Sequence, residues 1–168
     1  MFTVLIAALA LQAAPASTSE LAPEAEVGAV IDRLHALAST ASGPAYFKLF
    51  TPAARFVGTD ATERWSLSQF RAYAEPYFSK GKGWTYHPRD RVVTILPIEC
   101  RCVASFDEVL DHDAYGVLRG SGVVVKTDDG WKIEQYVLSF AVPNDVADDV
   151  VALIKAHPQP ASEAEPAN

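Results

Sequence analysis

The residues of this chain that can do pocket chemistry are carboxylates, phenols, indoles and one guanidinium on a strand. In the run FDEVLDHD, Asp107 and Glu108 are neighbours. Adjacent strand residues point to opposite faces, so only one of the two can point inward. A carboxylate turned in among Phe and Tyr rings is expected to have a raised pKa and to serve as a general base. The plainer reading makes it the partner of Arg119. Asp60, in FVGTDATERW, precedes an aromatic helix and can reach a pocket mouth. It can equally bond its own turn, as Asp commonly does. These three are the candidate catalytic residues.

Arg119 shares strand parity with Val117, Val123 and Val125, which places it on an apolar face. There it can hold an anionic ligand. The plainer role is a buried salt bridge to Glu108 or Asp107, since a buried Arg is nearly always paired. By the same counting Gln135 lies with Trp131, Ile133 and Val137, where it can polarise a ligand carbonyl. Trp65, Tyr73, Tyr77 and Trp84 suit a lipophilic pocket with hydrogen-bond donors, although such rings are also ordinary core material. Tyr86 and Tyr136 add two more phenols. Tyr136 has the opposite parity to Gln135 and is expected to face a partner subunit.

Other chemistries find no support. His87 and His112 have no metal-like spacing to a second ligand. His112, in Asp111-His112-Asp113, reads as a solvated loop residue. There is no nucleophile-elbow, Ser-His-Asp or phosphate-loop pattern. No metal or cofactor is called for. Cys100 and Cys102 are the two cysteines. On a straight strand they sit near the limit for bridging, so two inert thiols are expected unless Pro97-Ile98-Glu99 turns the chain.

The elements that must hold these groups are legible as patterns. Two alternating runs, roughly Tyr115–Lys126 and Trp131–Phe140, flank the turn Asp128-Asp129-Gly130 and make an antiparallel hairpin. Two further strands are expected near Thr85–Leu96 and Arg101–Leu110, and a short one over ARFVG. Pro23 opens a helix with Val27, Val30, Ile31, Leu34 and Leu37 on one stripe and His35 off it. A second short helix follows Gly43-Pro44 and holds Ala45–Phe50. Ser66-Leu67-Ser68-Gln69 is a capping box for a third, which carries Phe70, Tyr73, Ala74, Tyr77 and Phe78. Pro76 should kink or shorten it. Asn144 can cap a last helix with Val146, Val150, Val151 and Ile154 on one face. Helices followed by long antiparallel strands make an α+β fold, a cone-shaped barrel of bent sheet wrapped around N-terminal helices.

The 168 residues carry a formal charge of −7. That argues against nucleic acid and against a polybasic membrane contact. Residues 1–16, MFTVLIAALALQAAPA, read as a secretory signal: the apolar run is too short to span a bilayer, and Ala14-Pro15-Ala16 offers a small-x-small cleavage site. The globular domain is expected over 21–156. The polar, Pro-rich tail 157–168 is expected to be disordered.

The blocks LFTPAARFVGTDATERW, FRAYAEPYFSKGKGWTYHPR, FDEVLDHDAYGVLRGSGVVVK and GWKIEQYVLSFAVPND resemble the SnoaL-like branch of the nuclear-transport-factor-2-like superfamily. The resemblance covers roughly Val27 to Ile154 and implies the cone-shaped α+β fold. Its members include cyclases, isomerases, dehydratases and binding domains, so it implies the fold far more firmly than the function. Two positions depart from the family pattern. Val137 stands where a His is frequent, and Ser105 where an aromatic is.

Three functions follow as expectations. The first is an exported accessory domain that binds a small apolar or carbonyl-bearing ligand, as a homodimer. The second is a cofactor-independent isomerase, cyclase or dehydratase. The third is a dimerisation or protein-interaction module presenting Tyr136, Leu138 and Phe140.

Overall fold

A computed structural model describes residues 22–157. The expected signal segment and all but the first residue of the expected tail lie outside the described residues. The elements are α1 (Pro23–Ser39), α2 (Gly43–Phe47), β1 (Phe50–Val57), β2 (Arg64–Ser66), α3 (Leu67–Phe78), β3 (His87–Ile95), β4 (Val103–His112), β5 (Gly116–Thr127), β6 (Gly130–Phe140), a 3₁₀ turn (Asn144–Val146) and α4 (Ala147–Ala156). Six strands form one sheet in the order β2-β1-β6-β5-β4-β3. Only β1 and β6 run parallel. The sheet is curved and unclosed, with α1 packed on β3 and β6, and α3 on β1. The α+β cone is therefore present.

Local signals explain most elements. Pro23 occupies the first turn of α1, and the buried stripe is Val27, Ile31, Leu34, His35 and Ala38. His35 was expected off this stripe, yet it lies one turn beyond Ile31 and so shares its face. The capping box of α3 is formed: the Gln69 amide donates to Ser66 Oγ and the Ser66 amide to Gln69 Oε1. Pro76 sits in the last turn, and the helix ends two residues later. Phe70, Ala74 and Phe78 point to the core, while Tyr73 and Tyr77 are about half exposed. Strand β2 had no local signal. It is three residues that pair Phe56 with Trp65. Asn144 makes no side-chain cap, and α4 buries none of its residues.

Two irregularities in the sheet reset its faces. In β6 the register shifts beside Glu134, so that Trp131, Ile133, Tyr136 and Leu138 all face inward. An extra residue flips every later side chain to the other face. Parity carried across this bulge placed Gln135 inside and Tyr136 and Leu138 outside, and both placements are reversed. In β5 the inward residues are Leu118, Gly120 and Val124, so Arg119 points out, not in. The second shift lies in β3, where Asp90 and Arg91 together face Glu108. Asp90 has φ +51°, a left-handed conformation tolerated by Asp, and the bulge turns Arg91 towards the core.

Cys100 and Cys102 form a disulfide with Cα atoms 5.1 Å apart, instead of two free thiols. The chain turns over Ile98–Arg101, and Arg101 takes φ +46° between the cysteines. That turn brings them within bridging range.

Candidate functional site

The helical layer and the sheet part at one end of the molecule to leave an open cavity of about 530 Å³. Its floor is Phe56, Phe70 and Leu138. One wall carries Trp65, from β2, stacked on Tyr73, from α3, with centroids 4.7 Å apart. Another carries His112 stacked on Tyr115 at 4.6 Å, with Phe140 edge-on to Tyr115 at 5.9 Å. The segment Gly83–Tyr86 closes the side, bringing Trp84 and Tyr86. The short β2 matters here because it fixes Trp65 against the core ring Phe56, at 6.2 Å.

Beneath the floor lies a sealed polar cluster. Glu108 is 0% exposed. Its Oε1 is 2.7 Å from His35 Nε2 and accepts from the Tyr136 hydroxyl at 3.2 Å. Its Oε2 accepts from Arg91 Nε at 2.8 Å. Arg91 Nη2 sits 2.8 Å from the same oxygen as an ion-pair contact, but its N–H groups are off-line for a hydrogen bond. Arg91 Nη1 donates to Asp32 at 2.7 Å and to the Gly28 carbonyl at 3.0 Å, tying β3 to α1. Gly120 makes room for the cluster. A Cβ there would collide with the Tyr136 hydroxyl and the Glu108 side chain. A cleft of about 10 Å³ separates the cluster from the cavity, roughly the space one water needs.

Electrostatics follow from this packing. Burial pushes the Glu108 carboxyl up, but the hydrogen bond and charge of His35 and the charge of Arg91 outweigh it, leaving it below the ordinary value. An inward carboxylate was expected to be raised and basic. It is instead an ionised, fully engaged anchor. Burial, then the charge of Glu108, holds the Tyr136 phenol well above its ordinary value. In the cavity, burial first, then Tyr115, Tyr73 and Glu63, pushes Tyr86 up to about 12. Tyr73 is raised by burial, then by Tyr77, Glu63 and Tyr115. These phenols stay protonated donors at neutral pH.

Of the expected ligand-binding residues, Trp65, Tyr73 and Trp84 line the cavity. Tyr77 packs against Tyr73 at 5.7 Å but does not line it. Gln135 is exposed on the opposite sheet face. Arg119 is on that outer face too, 51% exposed, with Nη1 3.5 Å from Asp107 Oδ2. Its expected partner was Glu108 or Asp107. The pair is with Asp107, and it is a surface pair. Arg119→Ala is therefore expected to change stability by no more than about 0.5 kcal/mol in urea denaturation. A loss of several kcal/mol would contradict an exposed pair.

None of the three expected catalytic carboxylates lines the cavity. Glu108 is sealed below it, Asp107 is outside, and Asp60 accepts from the Thr62 amide at 2.8 Å and from its hydroxyl. Those two bonds hold Asp60 below the ordinary carboxylate value as the anchor of its own turn. Val137 and Ser105 do not line the cavity either. His35 and Arg91 had no place among the candidates. The helical spacing from Val27 and Ile31 marks His35, whereas Arg91 is aimed by a bulge with no local mark.

A family model for the SnoaL-like domain matches residues 27–143, and the chain belongs to that family. Its fold is shared with several solved structures. One is a nuclear-transport-factor-2-like protein of unknown function from Pseudomonas putida, 10% identical over 85% of this chain and 96% of that one, with a TM-score of 0.60. Another is a proposed dehydratase from Streptomyces avermitilis, 13% identical over 72% and 97%, also at 0.60. A third is a proposed ketosteroid isomerase from Shewanella frigidimarina, 17% identical over 70% and 97%, at 0.55. At these identities the likeness is one of fold. None of the curated proteins matches the chain.

Proposed function

We propose that this SnoaL-like domain is exported and binds a small molecule in its cavity without transforming it, in an accessory role. The observation that carries the reading is the state of Glu108. The buried carboxylate is bonded on both oxygens and 0% exposed, and only a cleft of about 10 Å³ lies between its partners His35 and Tyr136 and the cavity. A general base must reach the proton it removes, and this one cannot without breaking the core. The cavity itself offers aromatic faces and phenol donors, which suit binding and orientation. Export is supported by the signal-like residues 1–16. Among the described residues, no helix is long and apolar enough to cross a membrane.

The enzyme alternative, an isomerase, cyclase or dehydratase, would have to use Glu63, His112 or Asp113, the non-phenolic ionisable groups of the lining. Glu63 already accepts from the Asp60 amide at 3.2 Å. His112 Nδ1 accepts from the Ala114 and Tyr115 amides at 3.1 and 3.3 Å. Both groups serve local structure. The test is to purify the protein from its own host, sequence its N-terminus, extract the co-purifying molecule and incubate it with fresh protein. A mature chain without residues 1–16 and a ligand of unchanged mass after hours are expected. A start at Met1 would overturn export, and conversion of the ligand would overturn the accessory role.

A further inference from the structure

We propose that the cavity selects a cation, a quaternary or protonated alkylammonium group carried on an apolar body. The inference rests on the cavity being a ligand site and names the class of ligand. Its first support is the arrangement of rings. Trp65 stacked on Tyr73 forms one wall, and His112 stacked on Tyr115 forms another. Aromatic faces carry negative quadrupole potential, and an ammonium group enclosed by several of them is attracted without a formal ion pair. The second support is charge. Two carboxylates, Glu63 and Asp113, line the cavity, and no Lys or Arg does.

An anionic ligand would find phenol and threonine hydroxyl donors there, but no Lys or Arg, and it would face two carboxylates. His112, the imidazole of the lining, uses Nδ1 to accept from the Ala114 and Tyr115 amides, so that nitrogen has no hydrogen to offer an anion. A neutral ligand would gain from burial but nothing from the carboxylates. The raised Tyr73 and Tyr86 phenols are consistent with this balance, since Glu63 is among the charges that disfavour a second anion there.

The test compares two ligands of the same shape. Butyrylcholine carries a trimethylammonium group, and 3,3-dimethylbutyl butyrate replaces it with an uncharged tert-butyl group. N-phenyl-1-naphthylamine, an uncharged fluorescent probe, is the third arm. Titration at low salt and neutral pH is expected to show the cation binding about tenfold tighter than its isostere. Glu63→Gln is expected to shrink that ratio severalfold, and an unchanged ratio would overturn the part given to the carboxylate. Equal or tighter binding of the isostere would overturn the cation preference and leave the cavity a ligand site. Binding of the naphthylamine alone would do the same. Failure of all three to bind would overturn the ligand site together with its preference.

Discussion

Glu108→Ala is expected to lose about 3–5 kcal/mol of stability, the cost of breaking a buried ion pair by removing one partner. The substitution leaves the Arg91 guanidinium with only Asp32 and the Gly28 carbonyl, and removes the carboxylate partner of both His35 and the Tyr136 hydroxyl. These groups belong to β3, α1 and β6, so one carboxylate on β4 joins α1 to the adjacent β3 and, across β5, to β6. Urea denaturation with an unchanged slope reads the loss directly. A loss below about 1 kcal/mol would mean that the cluster is not held as described.

The same carboxylate carries a pH signature. Its folded pKa lies below the ordinary value of 4.5. Its stabilisation is therefore complete above that ordinary value and is lost as the pH falls through the folded one. Glu108→Gln removes this contribution at every pH. The gap in melting temperature between the wild type and Glu108→Gln should narrow as the pH falls below the ordinary carboxylate range. A gap that widens on acidification would reverse the assigned direction.

Phe70→Ala is expected to cost about 3–5 kcal/mol as well, by a different route. Phe70 is 1% exposed and stacks on Phe56 at 3.9 Å. It also meets Trp65 at 5.8 Å and Tyr46 at 6.1 Å. Truncation leaves a void that these rigid rings cannot fill, and it opens the cavity floor. Thermal and urea unfolding measure the loss. A cost near zero would show that the aromatic cluster repacks and that the floor is soft.

How far the sequence could be read follows from where its signals are local. The capping box at Ser66, Pro23 at the start of α1 and the alternation of β5 and β6 depend on near neighbours, and the elements lie where those signals place them. Trp65, Tyr73 and Trp84 line the cavity, whereas Gln135 and Arg119 lie elsewhere because their geometry is set at long range. Counting parity from Trp131 carried Gln135 into the core, because the bulge at Glu134 is created by pairing with β5 and leaves no local trace. Arg119 was assigned to the apolar face because its valine neighbours Val117 and Val123 mark the outer surface of β5. Alternation says that one of Asp107 and Glu108 faces inward but not which; Glu108 is the inward one, and its partners come from β3, α1 and β6. The cavity rings Tyr86, His112 and Tyr115 sit at strand ends and in a turn, where periodicity says nothing of direction.

Native mass spectrometry of protein purified from its own host tests the central claim most directly, that the cavity is a ligand site above a structural Glu108 cluster. The wild type should carry an adduct of a few hundred daltons or less, matched to a cavity of about 530 Å³. In the Trp65→Ala/Tyr73→Ala double variant, which removes one wall of the cavity and leaves Glu108, Arg91 and His35 in place, the adduct should disappear while the protein stays folded. A wild type that flies without an adduct, or an adduct that survives loss of that wall, would contradict the account.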